Sequence, residues 1–195
     1  LPAELHKHWR AQQVGGYHLE YGYSCMGYEI CGGVGAKLAC PERDVVVMVG
    51  DGSYMMMNSD IATAVSMGLQ LTIVVLDNEG FSCINRLQMA TGGANFNNLL
   101  KDTYNKGLAQ IDFAGHARSM GAHAVHVDDI GGLKQAVQEA RKRLGVSVVV
   151  IDTDPLINSP GGAYWEVEVP EVSVREEVVD QHQQWTQKRI AHRGY

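Results

Sequence analysis

The chain has 195 residues, enough for one domain with a substantial core and too few for two large ones. Its 16 basic residues stand against 22 acidic ones, a formal charge of −6, which argues against a nucleic-acid partner, since that needs a basic face. No apolar run approaches the roughly 20 residues that span a bilayer, and Glu4, His6, Lys7 and Arg10 interrupt any apolar start of the secretory kind. Cys25, Cys31, Cys40 and Cys83 form no CxxC pair and no zinc spacing. They read as buried or partly buried thiols of a cytoplasmic protein.

Residues 1–14, LPAELHKHWRAQQV, predict a polar helical lead-in, a linker or a helix from a preceding domain. Gly15 to Met26 is a loop rich in Gly and Tyr. Tyr17, Tyr21 and Tyr23 either line a site or pack at an interface, and His18 either does proton chemistry or is structural. Gly27 to Ala39 predicts a helix that packs closely, because Gly32, Gly33, Gly35 and Ala36 carry little bulk.

Val45 to Val49 suits a strand buried on both faces. Gly50-Asp51-Gly52-Ser53 then permits a tight turn and close approach of backbone N–H groups to a ligand. A helical segment runs to about Gly68, and a second buried strand, Leu71 to Leu76, ends in Asp77-Asn78-Glu79-Gly80. In an open parallel sheet ligands bind at the carboxyl ends of the strands, and a helix N-terminus favours anions. Asp51 and Asn78, 27 positions apart, come side by side on adjacent strand ends. A carboxylate and an amide oxygen beside an anion site suit Mg²⁺, which takes few protein ligands together with phosphate oxygens and water. The residues therefore point to a diphosphate held through Mg²⁺. A lone GDG at a strand end is also found as a plain turn; the paired Asn is what favours the ligand reading.

The thirty residues after Gly80 show weak periodicity and predict a binding or surface loop, in which Asn85, Arg86, Gln88 and Gly92-Gly93 are candidates to meet a polyhydroxylated substrate. Arg86 is the best single choice, as an anchor for a charge or a hydroxyl pair. Asp112 caps a predicted helix to about Met120. Ala122 to Val127 predicts a strand, Ile130 to Leu144 a helix, and Val146 to Ile151 a buried strand. His123 and His126 flank a strand and read as structural. After residue 158 the chain turns polar, with a loop at Gly161-Gly162-Ala163-Tyr164-Trp165, an alternating stretch over Glu166 to Val169, and a predicted helix from Ser173 to about Arg193. The expected organisation is residues 1–14 as lead-in, 15–157 as one α/β domain with a parallel sheet flanked by helices on both faces, and 158–195 as an extension packing on another domain or subunit.

GDG followed at this distance by Asn resembles the cofactor motif of thiamine diphosphate enzymes. The resemblance implies thiamine diphosphate and Mg²⁺ as cofactors, with Asp51, Asn78 and the Gly80 carbonyl as metal ligands. Gly52 and Ser53 are then diphosphate contacts, and Phe81 is counted with the cofactor site. Met26 before Gly27 is similar to the bulky residue that wedges between the cofactor's rings, with plain core filler as the alternative, and the Ser24 carbonyl would accept from the cofactor's 4′-amino group. Asp77 stands where the family often has a first Asn. Within the family, LDNEGFSCINRLQ and GGAYWEVEVPEVS resemble members that hydrolyse a carbon–carbon bond of a cyclic diketone in inositol catabolism. The same resemblance implies that the activating glutamate lies in a pyrimidine-binding domain of a partner subunit, that the assembly is a homodimer or tetramer, and that this chain alone is inactive. A carboligase of the acetolactate synthase kind and a non-catalytic nucleotide-binding module are the alternatives.

Overall fold

A computed structural model describes residues 2–20, 22–107, 109–160 and 167–191. Tyr21, the loop residues Gly161 to Trp165, Glu166, and the last residues of the predicted C-terminal helix lie outside the described set. The chain forms two compact units, one of residues 1–80 with 109–154 and one of residues 81–108 with 155–195.

The first unit contains α1 (Pro2–His8), α2 (Tyr28–Ala39), β1 (Val46–Gly50), α3 (Asp51–Met56), α4 (Asp60–Ser66) and β2 (Leu71–Asp77). The second contributes α5 (Ser82–Ala90) and a 3-10 turn at Leu100–Asp102 before the chain returns to the first as α6 (Phe113–Ser119), β3 (His123–Val127), α7 (Ile130–Lys142) and β4 (Val146–Asp152). The final helix, α8 (Glu176–Ala191), belongs to the second unit. The four strands form one sheet in the order β1-β2-β4-β3, and every pairing is parallel. This is the α/β arrangement expected from the alternation of buried strands and helices.

The central strands β2 and β4 are buried on both faces, which is why they read as continuous apolar runs. Contrary to expectation, β1 buries only alternate residues, Val47 and Val49, and the other edge strand, β3, is largely exposed. Leu71, Ile73 and Val75 of β2 join Val146, Val148 and Val150 of β4, Ile30 and Val34 of α2, Ile61 of α4 and Phe113 of α6 in one core. The residues between them, Thr72, Val74, Ser147 and Val149, point the other way by the two-residue strand period and are buried as well. α7 packs on β2, β3 and β4.

Three expectations change here. The helix expected to run to Gly68 is broken into α3 and α4 by residues 57–59; the backbone carbonyls of Asn58 and Ser59 accept from the amides of Ile61 and Ala62 and start a new helix. The segment after Gly80 is not irregular throughout, since its first nine residues after Phe81 are α5. The cysteines are free thiols; Cys83 is half-buried, as expected, whereas Cys25, Cys31 and Cys40 are exposed.

Asp112 does cap α6, accepting from the Gly115 amide at 2.7 Å. Asp129 caps α7 in the same way through Gly132, also at 2.7 Å. Replacing either with Ala is expected to lower stability by about 1 kcal/mol, measured by urea denaturation, whereas Asp128→Ala, one residue outside the cap, leaves the midpoint unchanged.

Candidate cofactor and metal site

The parallel pairing of β1 with β2 places Gly50 opposite Leu76, so the GDGS turn and the DNEG turn lie together at one end of the sheet. Asp51 begins α3 and is only 5% exposed. Its Oδ1 accepts from the Asn78 amide at 3.3 Å and its Oδ2 from the Gly80 amide at 2.7 Å. Burial pushes its carboxyl above the ordinary carboxylate value, with the nearby Asp77 charge acting in the same sense, and the amides of Asn78, Gly80 and Gly52 pull the other way. The second turn is fixed from outside too. Asp77 accepts at its side chain from the Glu79 amide at 3.0 Å, and at its carbonyl from the Thr153 amide at 2.6 Å. Between them Glu79 is held at φ 56° and Gly80 at φ 138°. A left-handed non-glycine residue is unfavourable and persists where its surroundings over-determine it.

Gly52 and Ser53 form the first turn of α3, whose N–H groups have no partners within the helix; Ser53 is 6% exposed. α3 has six residues, so an anion here gains from individual N–H groups more than from a summed helix dipole.

A second special turn precedes α2. Ser24 is exposed and left-handed, at φ 51°, and Gly27 follows at φ 92°. A Cβ on Gly27 would stand 2.8 Å from Met57 Cγ, so this position combines a glycine-only conformation with a glycine-only space. Met26 is 40% exposed and is not core filler. His18 Nε2 is hydrogen-bonded to the Tyr28 hydroxyl at 2.6 Å, and a Cβ on Gly32 would meet the Tyr28 ring at 2.6 Å; His18 thus anchors the loop to the first residue of α2. Tyr17 packs against His6 and Trp9, whereas Tyr23 is almost fully exposed.

The remaining candidates lie in the second unit. Phe81 precedes α5, and its amide donates to the Asn98 carbonyl at 2.6 Å. Arg86 is half-buried, with Nη1 donating to Ser82 Oγ at 3.4 Å. Asn85 is 1% exposed, and Gln88 donates to the Ala94 carbonyl and accepts from Asn98. Gln88 is thus engaged within its own unit, whereas the buried Asn85 Oδ1 has no hydrogen-bond partner among the described residues. His126 is on β3 and bonds Asp152 at 3.0 Å, in keeping with a structural role.

The donor chemistry at the two strand ends fits Mg²⁺. A carboxylate, an amide oxygen and a backbone carbonyl are hard oxygen donors, and the buried Asp51 carboxylate is the group that a cation would relieve of its burial cost. Among the described residues no three His, Cys, Asp or Glu side chains group as a metal cage; Mg²⁺ needs none, because phosphate oxygens and water complete its shell. No described helix is long and apolar enough to cross a membrane.

Residues 2–151 match the family described as thiamine pyrophosphate enzyme, C-terminal TPP binding domain, and the chain belongs to that family. The alternative of an unrelated nucleotide-binding module falls with this match. Among its relatives, a 3D-(3,5/4)-trihydroxycyclohexane-1,2-dione hydrolase of Halalkalibacterium halodurans is 38% identical over 178 residues, covering 90% of this chain and 28% of that enzyme. The enzyme of the same name from Shouchella clausii is 38% identical over 184 residues, covering 94% of this chain and 29% of its own length. The chain thus spans under a third of the relatives it matches. Among solved structures, the thiamine diphosphate-dependent 4-hydroxybenzoylformate decarboxylase of Rhodococcus jostii RHA1 superposes with a TM-score of 0.60 at 21% identity, over 69% of this chain and 24% of that one. The benzoylformate decarboxylase of Polynucleobacter necessarius gives 0.59 at 23%, over 71% and 25%. At these identities the likeness speaks to the fold.

Proposed function

We propose that the chain is the diphosphate- and Mg²⁺-holding part of a cytoplasmic thiamine diphosphate-dependent enzyme of myo-inositol catabolism. The reaction is hydrolysis of a carbon–carbon bond in trihydroxycyclohexane-1,2-dione, opening the ring to 5-deoxyglucuronate. The observation that carries this reading is the 38% identity, over 90% of the chain, to a relative bearing that name. Asp51, the Asn78 side chain and the Gly80 carbonyl are the metal ligands. Gly52 and Ser53 meet the diphosphate. The Ser24 carbonyl, Met26 and Phe81 meet the ring end of the cofactor, and Arg86 anchors substrate oxygens. The clustering of Asp51, Asn78 and Gly80 at one sheet end, and the exposure of Met26 and Ser24 beside α2, support these roles.

When bound, thiamine diphosphate supplies a carbon nucleophile and an electron sink for the departing bond. The chain's own residues hold and orient: a buried carboxylate fixes the metal, first-turn N–H groups fix the phosphates, and an exposed thioether sets the cofactor's bend. No glutamate here is assigned to activate the cofactor. That group comes from a pyrimidine-binding domain of a partner subunit in a homodimer or tetramer, with residues 158–195 packing on another domain or subunit and 15–157 forming the cofactor domain.

The test is an assay of the enzyme in which this chain is paired with its pyrimidine-binding domain, supplied with the cyclic diketone and, separately, with pyruvate. Ring opening is expected with the first, no turnover with the second, and no turnover of either by this chain alone. Consumption of pyruvate without ring opening would move the reading to a carboligase.

A further inference from the structure

Glu20 lies outside every role assigned above, yet it organises the turn before α2. Its Oε1 accepts from the Tyr23 amide at 3.0 Å and its Oε2 from the Cys25 amide at 2.7 Å. Those two amides flank Ser24, the left-handed residue. The next amide in the alternation, that of Gly27, is taken at 3.0 Å by Glu29 reaching back from the first turn of α2. Two carboxylates therefore hold the N–H groups of residues 23, 25 and 27. The left-handed Ser24 backbone would otherwise relax toward the common regions, and the direction of its carbonyl, together with the path into Met26, would change with it. Hydrogen bonds from N–H groups to an ionised carboxylate are the stronger, shorter kind. In keeping with this, the bonds from Tyr23 and then Cys25 hold the Glu20 carboxyl below its ordinary value.

We propose that Glu20 is a positioning residue for the ring end of the cofactor: it sets the conformation in which the Ser24 carbonyl and the Met26 side chain are presented, while touching neither cofactor nor substrate. The inference rests on the cofactor reading above and adds a residue to it. It also separates two halves of the site. The metal and diphosphate grip is built on β1, α3 and β2, whereas the ring grip is built on a turn that depends on Glu20.

The experiment exploits that separation. Thiamine diphosphate and inorganic pyrophosphate, each with Mg²⁺, are titrated by calorimetry into the chain, Glu20→Ala, Glu20→Gln and Asp51→Ala. Glu20→Ala is expected to weaken thiamine diphosphate binding about tenfold, the loss of roughly one well-made hydrogen bond, and to leave pyrophosphate binding unchanged. That unchanged pyrophosphate affinity also reports a folded protein. Glu20→Gln, which keeps one acceptor oxygen, falls between. Asp51→Ala loses both ligands. In the ligand-free protein, amide exchange at Tyr23 and Cys25 accelerates in Glu20→Ala, a local change that a general loss of stability would spread over the sheet. If Glu20→Ala binds thiamine diphosphate as the parent does, or weakens both ligands equally, the positioning role is overturned while the cofactor reading stands. If the parent chain binds neither ligand, the cofactor reading fails, and the role of Glu20 falls with it.

Discussion

Mg²⁺ and thiamine diphosphate together are expected to raise the melting temperature of the chain, and Asp51→Ala to abolish that rise. At a ligand concentration about 100 times the dissociation constant the stabilisation is about 2.7 kcal/mol, or roughly 5–10 °C for a chain of this size. The pH dependence follows from Asp51. Burial raises its carboxyl in the folded state, so its contribution to folding without metal is fully present below the unfolded value near about 3.9 and is lost as pH rises through the raised value. Metal binding needs the ionised carboxylate and so runs oppositely, strengthening through the same window as the proton leaves. Thermal scans from mildly acidic to neutral pH, with and without both ligands, should therefore show a ligand-induced shift that grows with pH. Asn78→Ala is expected to remove the shift as well, by deleting the second side-chain ligand. A full shift in Asp51→Ala would put the ligand elsewhere.

That prediction rests on a juxtaposition legible in the sequence, and the reason is geometric. Two short apolar runs with a helix-length connection between them form a parallel pair, and their polar ends must then meet. The order β1-β2-β4-β3 was not legible in the same way, because nothing in Val146 to Ile151 states that it pairs with β2 and not with β1. The break between α3 and α4 was marked by Asn58-Ser59-Asp60, residues that start helices, but the methionine run before them is a good helix former and hides the stop. α5 carries apolar residues at Cys83, Ile84, Leu87, Met89 and Ala90, yet its buried positions are Ser82 and Asn85; a helix that buries polar side chains does not announce itself through an apolar face turned to the core. Glu20 was invisible for a related reason. Its partners are backbone amides, which every residue has, so no pattern of residue types announces the clasp. Such contacts are found only once the turn's dihedral angles are known.

The glycines of α2 give the second large effect, and they show how far composition alone can mislead. The sequence groups Gly32, Gly33 and Gly35 as one close-packing stretch, but each has a different reason to be small. A Cβ on Gly33 would lie 2.2 Å from Val47 Cγ2 and 3.6 Å from Leu71 Cδ1, whereas a Cβ on Gly35 meets nothing within 4 Å. Val47 is buried on β1, and its branched side chain has little rotameric freedom with which to retreat. Gly33→Ala is therefore expected to lift α2 from the sheet and cost about 1–3 kcal/mol. Gly35→Ala is expected to stabilise by up to about 1 kcal/mol, since it removes backbone entropy from a helix interior without a clash. Equilibrium denaturation of both variants measures the opposite signs. Val47→Ala provides the control, because the double variant with Gly33→Ala should be less destabilised than the sum of the singles, as direct contact requires. The effect reaches the site through α2 itself, whose first turn is continuous with Gly27 and Met26. Gly33→Ala should then weaken thiamine diphosphate more than pyrophosphate, as is expected of Glu20→Ala, while Gly35→Ala leaves both ligands bound as in the parent. Additive behaviour of Gly33→Ala with Val47→Ala would show that the helix does not rest on β1 at this point, and the link between its packing and the ring end of the site would have to be abandoned.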